Sequence, residues 1–469
     1  MARFRRLKNY DITVDKQKAY THNRLQILIH NHSNRLVGAI IDIGNSPRNS
    51  KGKNKTTVSN PQNEGLRFID DSASNSVPDL FDSPRKTALR RNLKSWYRKK
   101  RRELPWRDTS EPYRIWISEI MLQQTTVAAV IPYYHRFFER LPDLVDLATA
   151  DEDAVLQLWE GLGYYSRARN LHKAAKLLID EFDGEFPRDV ATLQKLPGIG
   201  RYTAGAIASF AFGVRAPIVE ANTLRLYSRL LAYRDDPKST AGQRLLWQFA
   251  EDILPKTDVG DFNHALMDLG ATVCRPSEPD CPECPLVRVC RTAELGLQAE
   301  IPLAKQKPQI TDLTEVCFAI RHGDEYLLRR RQAGEWWTGL WDFPRLSLTA
   351  EEVATLGIGS GQRNPKRSKS KMLPGLELIP SAVNDRLKQE VSTLTGVEIH
   401  TGELLEVLKH GVTRYRIRLL CFKADYAQGT IRSDAELEWV HPDAFSEFAL
   451  TKTARQLANR LTPDRTETQ

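Results

Sequence analysis

The 469-residue chain has no apolar run long enough to cross a bilayer as a helix, which excludes a helical membrane span. Its start, MARFRRLKNYDITVDKQ, is basic, but no apolar core follows, so no secretory leader is expected. Cysteine is scarce. Of six residues, four crowd between 274 and 290, while Cys317 and Cys421 stand alone. A disulfide framework would spread its cysteines through a small secreted chain, so this clustering points instead to metal ligation in a reducing, cytoplasmic compartment. A global excess of charge is also lacking. The net charge is +9, yet the first 60 residues hold 12 Lys and Arg against 3 Asp and Glu, and the other 409 hold 56 of each. Any nucleic-acid surface on the folded part must be a local patch. The length predicts two or three domains.

Residues 1–84 are rich in Ser, Asn, Lys and Pro and are expected to form a disordered basic extension, with short strands at 25–29 and 36–43. Residues 85–107 carry 11 Lys and Arg against one acid, Glu103. Leu89, Leu93 and Trp96 recur at helical spacing, so this is a basic amphipathic helix, its outer face either simply solvated or contacting phosphate. Pro112 and Tyr113 open a helix in which Ile115, Trp116, Ile120, Met121 and Leu122 surround one acid, Glu119. Bulky apolar neighbours desolvate a carboxyl, raise its pKa and keep it protonated near neutral pH, as a general acid requires. The alternative is an ordinary exposed acid. Gln123, Gln124 and Thr125 follow at the helix end, a polar cluster able to reach base edges. Residues 133–194 read as helical. Within them GLGYYSR, 161–167, sets an aromatic pair on a Gly-rich turn beside a cation. Such aromatics wedge between bases or pack in a core.

Residues 196–223 read LPGIGRYTAGAIASFAFGVRAPIVEANT. Gly198 and Gly200 make a tight turn that opens a small-residue helix at 203–212. Glycine takes φ > 0 and admits close backbone approach, and free N–H groups at a helix start attract anions such as DNA phosphate. The same stretch also fits a plain interhelical turn. It closes on one carboxylate, Glu220. Helices are expected at 224–233 and 241–253. Cys274, Cys281, Cys284 and Cys290 follow as C-x6-C-x2-C-x5-C, a spacing that wraps one tetrahedral zinc or one iron–sulfur cluster. Residues 301–312 read as a linker. Beyond it, alternating strands at 316–321, 326–330 and 413–426, a helix at 384–394 and a closing helix at 450–461 predict an α+β domain over 313–463. A basic, low-complexity insertion is expected at about 352–375.

Together these motifs resemble the helix-hairpin-helix DNA glycosylases, and within them the adenine DNA glycosylases of the MutY type. LPGIGRYTAGAI is similar to that family's hairpin, and the cysteine pattern to its [4Fe–4S] loop. PWR, SEIMLQQT and GLGYYSRARNL are similar to its signatures, and GLWDFP, 339–344, to its Nudix-like C-terminal domain. The resemblance covers 85–300 and 310–460. It implies a multidomain protein: an all-α glycosylase core at 85–300 with a [4Fe–4S] loop at 274–290, then an α+β Nudix-like domain.

It also implies removal of adenine mispaired with 8-oxoguanine or guanine in double-stranded DNA, by a monomer acting at the nucleoid. Glu119 matches the general acid. Glu220 takes the place of a stabilising Asp, one methylene longer. Tyr202 stands where bifunctional relatives carry a Schiff-base lysine, which implies little strand cleavage. Asn222 and Arg107 carry over as site residues, and Tyr164 and Gln124 as intercalators. His264 falls where Gln or Glu is usual near the adenine. The lesion-reading Phe-Ser-His loop falls on Val412, Thr413 and Arg414, keeping only the hydroxyl of Thr413. Thr393 and Leu394 fall on the Nudix acid pair, which implies a domain without hydrolase activity. The competing readings are another mismatch glycosylase on this scaffold, a nucleotide pyrophosphatase, and a non-catalytic DNA-binding protein.

Overall fold

The computed structural model describes residues 10–13, 24–31, 36–42, 81–303, 309–357 and 379–462. They fall into two units, Met1–Asn75 and Ser76–Gln469. In the first, β1 (Tyr10–Thr13), β2 (Arg24–Asn31) and β3 (Leu36–Asp42) form an antiparallel sheet in that order. β2 and β3 span the short strands expected at 25–29 and 36–43; the rest of the expected extension up to residue 80, β1 apart, lies outside the described residues. The β-branched runs inside RLQILIHN and LVGAIID pair from Arg24↔Asp42 to His30↔Leu36, as strand propensity favours.

The second unit starts with α1 (Ser83–Lys100), capped by the Asp82 carboxylate accepting from the Arg85 amide at 2.8 Å. Its buried stripe is Leu89, Leu93 and Tyr97. Tyr97, four residues beyond Leu93, takes the inward place the sequence had suggested for Trp96. Helices α2 (Pro112–Leu122), α3 (Val127–Arg140), α4 (Leu144–Thr149), α5 (Glu152–Leu158), α6 (Ser166–Phe182), α7 (Val190–Leu193) and α8 (Arg201–Phe212) follow. They build a first lobe around Trp116, Trp159, Phe137, Leu171 and Ile207. The stretch read as helical throughout is thus broken by turns, the 161–165 turn among them.

Helices α9 (Ala221–Leu231), α10 (Thr240–Ile253), α11 (Val259–Thr272) and α12 (Arg291–Leu295) join α1 in a second lobe around Tyr227, Leu230, Leu246 and Leu266. α8 lies between the lobes, packing on both α2 and α11. Small residues permit this approach. A Cβ on Gly205 would sit 2.4 Å from the Pro217 carbonyl, and one on Gly260 2.9 Å from the Ser209 carbonyl.

The α+β part holds β4 (Thr311–His322), β5 (Glu325–Arg330), β6 (Trp341–Asp342), β7 (Arg345–Ser347), α13 (Ala350–Thr355), α14 (Ser381–Thr395), β8 (Val397–Val412), β9 (Tyr415–Gly429), β10 (Leu437–Val440) and α15 (Lys452–Leu461). The sheet order is β10-β5-β4-β9-β8, with β4 and β9 parallel. Alternation along β4 fills both faces. Val316, Phe318 and Ile320 pack towards Leu387 and Val391 of α14; Cys317 and Ala319 pack towards Leu457 of α15. Two boundaries differ from expectation. The linker ends as β4 begins at Thr311, and α13 occupies the start of the expected insertion, the rest of which, 358–378, lies outside the described residues.

Gly205→Ala should force α8 off the 214–219 segment and cost about 1–3 kcal/mol of stability, read by chemical denaturation.

Candidate active site and cysteine loop

The site forms where the lobes meet. Glu119 lies on α2, only 3% exposed. The Tyr202 hydroxyl, one residue into α8, donates to its Oε2 at 2.5 Å and also reaches Met267 Sδ of α11 at 3.9 Å. Burial pushes the Glu119 carboxyl up from 4.5 to about 7, offset in part by the Tyr202 hydrogen bond and the Arg107 charge, and reinforced by Glu220. Burial and the two carboxylates also push Tyr202 well above its ordinary value, so it remains a phenol and a donor.

Glu220 caps α9. Its Oε2 accepts from the Asn222 amide and its Oε1 from the Thr223 amide, each at 2.8 Å, while its own amide donates to the Thr223 hydroxyl at 2.8 Å. Here the extra methylene of Glu over Asp finds its seat, one oxygen per N–H. Burial raises this carboxyl, but the two amides, Arg225 and Arg102 pull it down. Asn222 accepts from Arg225 at 2.9 Å and lies against Gly270, where a Cβ would sit 2.8 Å from its own.

Arg107 is committed rather than free. It donates to the Tyr97 hydroxyl and to Asp268 Oδ1, both at 3.0 Å. Asp268, fully buried on α11, also accepts from Arg102 Nε at 2.8 Å. Sequence reasoning missed Asp268, although an acid inside the apolar run ALMDLG carries the same signal as Glu119. His264, one turn before it, stacks on Phe210 with ring centres 3.8 Å apart. Burial and the guanidinium groups of Arg107, Arg101 and Arg102 keep its imidazole neutral.

Gln123 ends α2 and donates to the Thr203 hydroxyl at 3.4 Å. Thr125 donates to the Gln123 carbonyl at 3.3 Å. Gln124 and Tyr164 both hold left-handed backbone, φ 57° and 50°, and Tyr164 is half exposed. In the hairpin between α7 and α8, Gly198 has φ 77° and leaves no room for a Cβ, which would meet Asn170 at 2.8 Å. Gly200 differs from Gly198. It is extended, φ −83° and ψ 178°, with open space where a Cβ would stand, and it caps α8. Thr413 stands apart, at φ 52° in the two-residue turn joining β8 and β9.

The four clustered cysteines line one pocket, with Leu226, Leu230, Val273 and Leu286 around them. Among the described residues, no three His, Cys, Asp or Glu side chains converge as a single-ion site. Four thiols lining one pocket suit a soft metal centre, zinc or an iron–sulfur cluster. Burial pushes the Cys284 thiol up to about 12, so a bound cation is what would hold it as thiolate. Arg229, buried under the loop, donates to Cys274 Sγ at 3.3 Å and to the Arg275 carbonyl at 2.7 Å. In the α+β part, α14 carries Thr393 and Leu394 in its last turn, and Arg386 donates to Glu390 at 2.5 Å.

Residues 117–252 match the family described as HhH-GPD superfamily base excision DNA repair protein, and residues 316–460 match the NUDIX domain. The adenine DNA glycosylase of Mus musculus is 36% identical over 365 residues, which is 71% of this chain and 70% of that protein. The adenine DNA glycosylase of Homo sapiens is 34% identical over 419 residues, 82% of this chain and 76% of that protein. That of Buchnera aphidicola subsp. Baizongia pistaciae is 42% identical over 253 residues, 54% and 72%.

Because the Glu119 carboxyl holds its proton more tightly folded than unfolded, stability present at acid pH is lost as pH rises from about 4.5 through about 7. Glu119→Gln should therefore stabilise the protein at about pH 8, on the order of 2–3 kcal/mol, with the gain shrinking towards about pH 4.5. Urea denaturation at the two pH values checks this; an equal effect at both refutes it.

Proposed function

The chain belongs to the adenine DNA glycosylase family, and on that premise we propose that it excises adenine mispaired with 8-oxoguanine or guanine, hydrolytically and without cutting the strand. The observation that carries the reading is the buried Glu119 carboxyl bonded to a tyrosine, poised between its two protonation states near pH 7.

The target nucleotide is flipped out of the duplex. Glu119 gives its proton to the adenine as the N-glycosidic bond breaks, and the bonding electrons leave with the base. The sugar acquires positive charge, which the Glu220 carboxylate, pinned by two backbone amides, stabilises. Water adds to the sugar carbon, and its proton returns to Glu119. Asn222 supports Glu220. Tyr202 orients Glu119 and, as a phenol, forms no imine with the sugar.

Arg107 and His264 flank the base pocket. Gln123, Gln124, Thr125 and Tyr164 face the DNA, and Gly198 and Gly200 seat a phosphate. Cys274, Cys281, Cys284 and Cys290 hold a [4Fe–4S] cluster, which when bound supplies a brace for the loop. The Nudix-like domain reads the oxidised guanine, with Thr413 at its hairpin tip; the lack of an acid pair at Thr393 and Leu394 argues against a pyrophosphatase. The protein acts as a monomer on double-stranded DNA.

Glu119→Gln should slow adenine release from a duplex with adenine opposite 8-oxoguanine by about 10²–10⁴-fold; an unchanged rate refutes the mechanism. In the parent enzyme, single-turnover release should fall as pH rises above about 7, where the acid form is lost. Borohydride should trap no protein–DNA adduct, and a strong adduct would overturn the monofunctional reading. Release of thymine instead of adenine across a panel of mispairs would favour a different mismatch enzyme.

A further inference from the structure

One guanidinium gathers more of the site than any residue assigned above. Arg167, just inside α6, donates to the carbonyls of Ile120 and Gln123, each at 2.7 Å, and of Met121 at 3.1 Å. These are the carbonyls at the end of α2, one to four residues past Glu119. A helix end leaves such carbonyls without partners along the helix, and a cation there also meets the negative end of the dipole. The same guanidinium donates to the carbonyls of Gly163 at 3.0 Å and Leu162 at 3.3 Å. It therefore staples the acid helix to the 161–165 turn. Both left-handed residues, Gln124 and Tyr164, sit beside these acceptors, and backbone of that kind persists only where its surroundings fix it.

The turn is gripped from outside as well. Arg455 of α15 forms a two-pronged ion pair with Glu160, at 2.8 and 2.9 Å. Arg455 is itself held by the carbonyls of Phe445 at 2.7 Å and Phe448 at 2.8 Å. On the other side of the turn, Arg169 donates to the Thr338 carbonyl in the loop between β5 and β6. The C-terminal domain thus holds both flanks of a turn whose centre holds the acid helix.

We propose that Arg167 is a positioning residue for base release, and that the Glu160–Arg455 pair lets the seating of the C-terminal domain set where the Tyr164 turn, and through it Glu119, stands. The contacts form a continuous physical path: α15, Glu160, the turn, Arg167, the end of α2, Glu119. The inference rests on Glu119 being the acid. That reading fails if Glu119→Gln keeps full activity; this one fails separately, on variants that leave Glu119 untouched.

The experiment uses the full-length protein and measures three quantities. These are single-turnover adenine release, opposite guanine and opposite 8-oxoguanine, affinity for a duplex carrying an uncleavable adenosine analogue, and melting temperature. Glu160→Gln and Arg455→Gln should each slow release about ten-fold, the scale of coupled neighbours, with affinity and melting temperature unchanged. The double variant should be no slower than the slower single, and the exchange of Glu160→Arg with Arg455→Glu should recover most of the rate. Arg167→Lys keeps the charge but loses the planar fork that reaches both elements, and should slow release more than either outer variant. Single variants at the parent rate, a double loss equal to the product of the single losses, or a slowing explained wholly by weaker binding would each overturn the proposal. Should Arg167→Lys fail to fold, the Glu160 and Arg455 variants decide it alone.

Discussion

A carboxyl group taken out of water is the constraint on which the arrangement of the two lobes depends. Glu119 sits on a helix among Ile115, Trp116, Ile120 and Met121, and a phenol from the facing helix donates to it. Burying a carboxylate there would be costly, so the group keeps its proton near neutrality. The two nearby acids meet different surroundings. Arg102 and Arg107 bring positive charge, and Asp268 is fully buried between them. Burial raises Glu220 too, but two backbone amides at a helix start, Arg225 and Arg102 pull it down, whereas Glu119 is pushed up to about 7. Two carboxyls of the same type are thus shifted differently by their surroundings.

Residues from the second lobe bear on the Glu119 pocket as well. Asp268 and His264 lie four residues apart on α11, one turn of a single face. One holds the guanidinium groups in place; the other, kept neutral by them, lines the site without adding charge. The stacked contact of His264 with Phe210 ties this face to α8, the helix that also supplies Tyr202.

Much of this was legible in the sequence where a signal is local. Glu119 announces itself as an acid amid bulky apolar residues, and four cysteines within 17 positions announce that they gather around one pocket. The helices expected from Pro112, at 203–212 and at 224–233 correspond to α2, α8 and α9. What was not legible depends on partners far away in the chain. Asp268 bonds to residues more than 160 positions earlier, and Arg167 bonds to carbonyls, which leave no mark in a sequence. Which of Gly198 and Gly200 takes the left-handed backbone was not legible, because a glycine that caps a helix in extended backbone looks the same as one that turns. The 16-residue β8 was missed because its burial follows no clean alternation and its register shifts near Thr401 and Leu404.

The order of the two lobes along the chain carries a consequence for synthesis. The first lobe is nearly contiguous, whereas α1 packs against elements more than 150 residues downstream, as Arg90 does in donating to the Ile253 carbonyl. On the ribosome, the apolar stripe of Leu89, Leu93 and Tyr97 therefore emerges long before its covering does. α1 is thus covered only once the residues from Val219 to Val289 have been made.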